Sequence, residues 1–140
     1  MKRFMQSFIL LLFLLLFSVF YFAGASFASD ALQEEVAVAG EFVKKLQILA
    51  AEGEKQELAK LVDYPLIVNG KENSVKNADA FVQSYDDIFT ESVQTCLRDH
   101  NLEEATFSSN GLYMVGWGCI WFFPTERGDM LIHAVNTNTQ

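Results

Sequence analysis

Two side chains of this sequence have the chemistry and the positions for acid–base catalysis. Asp63 precedes a predicted strand, and His133 lies in the last predicted strand. A carboxylate and an imidazole that face one cavity can exchange protons with a substrate, and their surroundings tune their pKa values. A lone histidine between apolar residues is more often structural. Asp63 and His133 are therefore the catalytic candidates of an alternative hypothesis, in which the protein is a small lyase or isomerase.

Cys96 and Cys119 are the only cysteines. In an oxidising compartment such a small, even count favours one disulfide, which would stabilise the fold by about 3 kcal/mol. Two buried thiols are the alternative, since free cysteine is a common small core residue. The cysteines, His100 and His133 lack the close spacing of a zinc site, and no dinucleotide or phosphate-binding motif is present, so we expect no metal and no cofactor.

The first 28 residues indicate export. Lys2 and Arg3 form a basic start, every residue from Phe8 to Phe22 except Ser18 is apolar or Tyr, and Ser26-Phe27-Ala28 offers small residues for cleavage after Ala28. An uncleaved anchor is the alternative, because the run can be extended to about 18 residues, the lower limit for a membrane span. We predict a signal peptide at 1–28 and a periplasmic or secreted domain at 29–140.

Charge separates the classes of partner that this domain could bind. Residues 29–140 carry 8 basic and 18 acidic residues, a net charge of −10. This charge disfavours nucleic acid and anionic membranes and favours a cationic protein partner, although solubility alone would also explain it. The acidic residues that could form a negative surface are Asp86, Asp87, Glu91, Asp99, Glu103 and Glu104.

The first half of the domain has a helical pattern followed by a strand. Residues 31–52 repeat apolar side chains at alternating intervals of four and three, which is typical of an amphipathic helix. Gly53 suits its C-terminal cap, and residues 54–61 form a short second helix. The strand 63–68 carries a proline near its start. Asn69-Gly70 predicts a turn.

A third helix is predicted from Asn77, its N-cap, to about Asp99. The period then changes to that of strands. Residues 102–108 form a weaker strand, 108–110 a turn, and 130–135 the last strand.

The apolar segment between that turn and the last strand predicts a hairpin. Its tip is Gly116-Trp117-Gly118, so that Val115 pairs with Cys119 and Tyr113 with Trp121. The residues expected on the opposite face are Leu112, Met114, Ile120 and Phe122. Since both faces are apolar, both must be covered or one must line a cavity.

Trp117 is the main candidate for binding, with Tyr113 and Trp121 as further contacts. An exposed tryptophan at a turn is a frequent anchor in a partner's pocket. The alternative is a continuous strand in which Trp117 is buried with Trp121.

The chain resembles the NTF2-like superfamily, a cone-shaped fold with a cystatin-like core. The similarity covers residues 31–135 and rests on Tyr64-Pro65-Leu66, on Phe81-x3-Tyr85-x2-Ile88-Phe89, and on Gly111-Leu-Tyr-Met-Val-Gly-x-Gly-x-Ile-Trp121-Phe. It implies an α+β domain, with N-terminal helices on a curved antiparallel sheet of about four strands. Members of the superfamily include isomerases, dehydratases, carriers, and inhibitors or immunity proteins, so this fold does not decide function.

The sequence therefore predicts a single exported, non-catalytic binding domain. Its ligand would be a partner protein, as for an inhibitor or immunity-type protein, or a small apolar molecule, bound at the mouth of the cone. A homodimer is compatible with this prediction. The lyase or isomerase with Asp63 and His133 in the cone is the alternative.

Overall fold

The computed structural model describes residues 34, 36–101, 106–107 and 111–138. The chain divides after Ala37 into two units, and the unit considered below is Val38–Gln140. The predicted signal at 1–28 and the predicted turn at 108–110 lie outside the described residues. Within the part of the chain that is described, no helix is long and apolar enough to cross a membrane.

The unit contains helices and strands, which confirms the predicted α+β class. Its helices are α1 (38–52), α2 (Lys55–Ala59), α3 (Ala78–Gln83), α4 (Tyr85–Ile88) and α5 (Glu91–Asp99). Its strands are β1 (Val62–Val68), β2 (Lys71–Val75), β3 (Thr106–Phe107), β4 (Tyr113–Val115), β5 (Ile120–Pro124) and β6 (Met130–Val135).

The strands form one open, mixed sheet in the order β2-β1-β6-β5-β4-β3. The predicted antiparallel sheet of about four strands is therefore wrong in two respects: the described residues form a sheet of six strands, and β1 pairs with β6 in parallel. Strand β2 is polar and lacks an alternating pattern. It forms because Asn69 and Gly70 both have positive φ, 52° and 71°, which favours a tight hairpin turn. The parallel pair joins distant segments, which periodicity does not reveal.

Strand β1 begins at Val62, and Pro65 lies in its middle rather than near its start. The pairing of β1 with β6 is irregular between Val62 and Ile67. The missing N–H of Pro65 falls in this interval, where no ladder hydrogen bond is required.

The predicted third helix is interrupted twice. Ser84 separates α3 from α4, and α4 ends at Ile88, before Phe89, whose φ and ψ are −93° and 60°. Thr90 then begins α5, because its Oγ1 accepts the Val93 N–H at 3.4 Å. Asn77 caps α3 as predicted, accepting the Ala80 N–H at 2.9 Å. The apolar spacing continues across both interruptions, so it could not reveal them.

The core contains side chains from all five helices and from the sheet. Phe42 of α1 packs against Phe122 with ring centroids 5.1 Å apart, and Tyr113 stacks on Phe122 at 5.4 Å. Gly53 ends α1 as predicted: with φ at 71°, it lets the Glu54 N–H donate to the Leu49 carbonyl at 2.9 Å.

The β4–β5 hairpin has a different register from the predicted one. Val115 pairs with Ile120 and Tyr113 with Phe122, so the predicted partners Cys119 and Trp121 are wrong by one residue. Cys119 belongs to the turn, since its N–H donates to the Val115 carbonyl at 3.2 Å. A shift of one residue exchanges the two faces of a strand. Ile120 and Phe122 therefore lie in the core with Tyr113, whereas Met114 and Trp121 are half-buried on the other face.

Candidate functional site

The turn Gly116–Cys119, here called the Trp117 loop, presents the most exposed large apolar side chain among the described residues. Trp117 is 93% exposed, in agreement with the predicted tip and not with the buried alternative. Gly116 and Gly118 flank it with φ of 54° and 90°, a region that favours glycine. A Cβ at Gly116 would lie 2.7 Å from the Cys96 sulfur, so this end of the loop approaches α5 closely.

A disulfide joins the loop to α5. Cys96 and Cys119 are bonded with an S–S distance of 2.08 Å and a Cα–Cα distance of 6.6 Å, which confirms the predicted bridge over the two-thiol alternative. Cys119 is fully buried. The bridge therefore fixes the C-terminal end of the loop from inside the protein.

His100 holds the other end of the loop. It follows α5 directly, it is only 9% exposed, and its Nδ1 accepts the Gly116 N–H at 3.0 Å. In the sequence, His100 simply follows the predicted third helix, whose C-terminal dipole favours a histidine. The signal that could have found this contact is the spacing of Cys96 and His100, since residues four apart lie on one helix face.

Two side chains, one on β5 and one directly after β6, support the loop. The indole N–H of Trp121 donates to the Gly118 carbonyl at 3.0 Å, and the Asn136 amide donates to the same oxygen at 2.8 Å. The Asn136 backbone N–H also donates to the Cys119 carbonyl at 2.9 Å. Trp121 thus acts as a support of the loop, and its N–H is used within the protein.

Tyr113, the third predicted binding residue, lies in the core. It is 1% exposed and stacks on Phe122. Of the three aromatic candidates, Trp117 is the one whose side chain reaches solvent fully.

The structure brings Asp63 and His133 together. They lie on the parallel neighbours β1 and β6, and Oδ2 of Asp63 is 3.4 Å from Nδ1 of His133. Val62 and Ile132 precede them, pair with each other and are buried in the core. Because successive side chains of a strand alternate, Asp63 and His133 face away from that core. Their side chains are 40% and 36% exposed, so solvent reaches the pair.

His133 lies at an irregularity of β6. Ile132 pairs with Phe122 and Ala134 pairs with Trp121, so the neighbouring strand offers no residue opposite His133. Such bulges redirect a side chain. The imidazole packs edge-on against Phe123, with ring centroids 5.7 Å apart.

A separate groove of about 370 Å³ lies between α1 and α5. Its lining includes Gln47, Ile48, Ala51, Gln94, Leu97 and Arg98. Gln47 closes one end of the helix pair, because its amide donates to the Leu97 and His100 carbonyls at 2.8 and 3.2 Å. Neither the acid–base pair nor Trp117 lines this groove, which makes it a separate candidate for an apolar ligand.

Part of the predicted acidic surface is neutralised within the chain. Asp86 pairs with Lys55 at 3.0 Å, and Asp99 pairs with Arg98 at 3.1 Å. Asp87 and Glu91 are exposed. Glu103 and Glu104, which complete the predicted surface, are outside the described residues. Elsewhere, in the described ranges, no group of three or more His, Cys, Asp or Glu side chains could hold a metal ion.

A scan against protein-family models and searches of curated proteins and of solved structures found no match. The Trp117 loop, the Asp63–His133 pair and the groove are therefore interpreted from their own geometry.

Proposed function

We propose that this protein is an exported, non-catalytic binding protein that recognises a partner protein through Trp117. The observation that carries this proposal is a tryptophan 93% exposed on a loop fixed at both ends. We further propose that the domain is a small NTF2-like cone. The combination of helices with one open mixed sheet supports that assignment.

The energetics of tryptophan support a binding role. An indole in water is a large apolar surface that gains free energy when a partner's pocket covers it, and tryptophan is enriched among residues that dominate interfaces. Ordering a flexible loop would oppose binding. Here Cys96, His100 and Trp121 already hold the loop, so little of that entropy remains to be lost.

Charge indicates the kind of partner. Residues 29–140 carry a net charge of −10, which attracts a cationic protein over long range. A lysine or arginine near the rim of the pocket would also contact the indole face favourably. An inhibitor or immunity-type protein fits the small size and the acidity, and the disulfide is typical of an oxidising, extracytoplasmic compartment.

Photo-cross-linking in the native host tests this proposal. We would replace Trp117 by a photoreactive phenylalanine and use the same replacement at Ile48 as the control, since Ile48 is also exposed at 49% but lies in the α1–α5 groove. A single extracytoplasmic protein captured at 117 and not at 48 supports the proposal. Capture at 48 alone would move the binding site to the groove, and capture at neither position would contradict protein binding.

One observation favours the enzymatic alternative, namely the 3.4 Å contact between Asp63 and His133. A lyase or isomerase that used this pair would lose turnover in the Asp63→Asn variant. Asp87→Asn is the matched control, because Asp87 is exposed on α4. The open position of the pair argues against this alternative, since proton transfer is usually assisted by a site that excludes water.

A further inference from the structure

We propose that His100 makes the order of the Trp117 loop depend on pH, so that protonation of Nδ1 releases Gly116 while the disulfide retains Cys119. This inference deepens the proposed function, on which its biological meaning rests, because it concerns control of the same loop. Its test requires no partner.

The hydrogen bond between the two residues has a fixed direction. The Gly116 N–H can only donate, so Nδ1 of His100 is the acceptor at 3.0 Å. A neutral imidazole has one donor and one acceptor nitrogen, and an imidazolium has two donors. A proton on Nδ1 would therefore face the Gly116 N–H with a second N–H. Protonation and this hydrogen bond exclude each other.

The surrounding contacts determine whether His100 or Gly116 moves when the hydrogen bond between them is lost. The His100 carbonyl accepts the Gln47 amide at 3.2 Å, and the His100 residue is 9% exposed. Cys119 is bonded to Cys96. Gly116 is held less firmly, because glycine has a wide choice of backbone conformations. Protonation should therefore displace Gly116 and with it the fixed orientation of Trp117.

The described elements that carry His100 and its neighbour Gln47 also carry charged residues. They are Arg98 and Asp99 on α5, and Lys44 one turn before Gln47 on α1. Arg98 and Asp99 are exposed and pair with each other at 3.1 Å, and Lys44 is exposed. The disulfide does not titrate.

The test is nuclear magnetic resonance of the ¹⁵N-labelled full chain between about pH 8 and about pH 5, the range in which histidine ordinarily titrates. Nitrogen shifts of the two histidine rings report protonation, and the protection factor of the Gly116 amide reports the hydrogen bond. We expect that protection to fall about tenfold, the effect of one lost hydrogen bond, as His100 and not His133 is protonated. The Cys119 amide, which donates to Val115 within the turn, should stay protected.

Three results would overturn the proposal: a His100 ring that stays neutral throughout this range, a Gly116 amide that stays protected after His100 is protonated, or a loss of protection that follows His133. These results can be read from the unmodified sequence, so they do not depend on a variant that folds. The loop could stay ordered in acid while the cross-link at position 117 is still formed. In that case the inferred pH dependence is wrong and the proposed function stands.

Two variants distinguish the role of the His100 side chain as hydrogen-bond acceptor from the effect of its protonation. In His100→Asn the side-chain oxygen can take the place of Nδ1 and does not titrate, so Gly116 should remain protected at all pH values tested. His133→Asn should leave the pH dependence unchanged, because His133 contacts Asp63 on another part of the sheet. A pH-dependent loop in His100→Asn would contradict the inference.

Discussion

Cys96 on α5 and His100, the residue that directly follows this helix, hold the two ends of the same loop. Cys96 is bonded to Cys119, and His100 accepts the Gly116 N–H at 3.0 Å. One short helix and the residue after it therefore fix both sides of Trp117. This relationship explains how a side chain that is 93% exposed can have a defined position.

The two tryptophans should respond differently to the same substitution. Trp117→Phe should change the free energy of unfolding by less than about 0.5 kcal/mol, because an exposed side chain away from other contacts contributes little. Trp121→Phe removes the hydrogen bond to the Gly118 carbonyl and should cost about 1 kcal/mol or more. Urea denaturation measures both values. Equal costs would contradict the different environments of the two indoles.

The disulfide should contribute strongly to stability. Its sequence separation of 23 residues corresponds to about 3 kcal/mol in the chain-entropy description. Reduction should lower the denaturation midpoint, and Trp117 should become more mobile in time-resolved fluorescence of a Trp121→Phe background. The Cys96→Ala/Cys119→Ala double variant is the control, since reductant should not affect it. Unchanged stability after verified reduction would be evidence against the bridge as a structural element.

The glycines test the close approach of the loop to α5. Gly116 and Gly128 both have positive φ, 54° and 85°, so alanine should strain the backbone at either position by about 1 kcal/mol. A Cβ at Gly116 would also lie 2.7 Å from the Cys96 sulfur, whereas at Gly128 it would meet nothing within 4 Å. We expect Gly116→Ala to cost about 1–3 kcal/mol more than Gly128→Ala in thermal or urea unfolding. A smaller cost at Gly116 would show that the loop lies farther from α5.

Two tyrosines form a further matched pair. The Tyr64 hydroxyl donates to the Ala59 carbonyl at 2.9 Å, whereas the Tyr85 hydroxyl is buried and has no hydrogen-bond partner among the described residues. Tyr64→Phe should therefore cost about 1 kcal/mol, and Tyr85→Phe should be neutral or stabilising. Denaturant titration of the two variants gives the comparison, which the reverse order would contradict.

Alkaline pH should act through the same tyrosines. Burial raises the pKa of Tyr64 from 10.0 to about 12, and burial together with the Asp86 charge raises that of Tyr85. Both hydroxyls are harder to ionise in the fold than in the unfolded chain. Their contribution to stability is therefore complete below the unfolded pKa and is lost as the pH rises toward the folded pKa. The difference between the ultraviolet titrations of the wild type and of Tyr64→Phe isolates the Tyr64 hydroxyl and should titrate near pH 12. A difference that titrates at the ordinary tyrosine pKa of 10.0 would contradict the assignment.

The sequence predicted features that arise from neighbouring residues. Asn69-Gly70 requires a turn, Gly53 ends α1, and Trp117 between two glycines indicates a tip. The disulfide was predicted from the number of cysteines and the predicted compartment. Each of these inferences depends on local backbone preferences or on composition, and both can be read without knowledge of the fold.

Features that depend on distant contacts were not predicted. The one-residue shift of the β4–β5 hairpin follows from the position of Cys119 in the turn, and Cys96 determines that position from another element. The parallel pairing of β1 with β6 depends on the order of the strands. This pairing brings Asp63 and His133 into contact, which the sequence indicated only through their chemistry and their places in predicted strands. The role of His100 likewise requires α5 and the loop to meet, and the sequence showed only a histidine after a helix.

The affinity of the partner captured at position 117 tests the central claim most directly. Calorimetry would compare the wild-type protein with Trp117→Ala, which should keep its stability since the side chain is exposed. We predict a dissociation constant raised by about thirtyfold or more, the effect of removing a dominant interface residue. Equal affinities of the two proteins would contradict the claim that Trp117 is the binding residue.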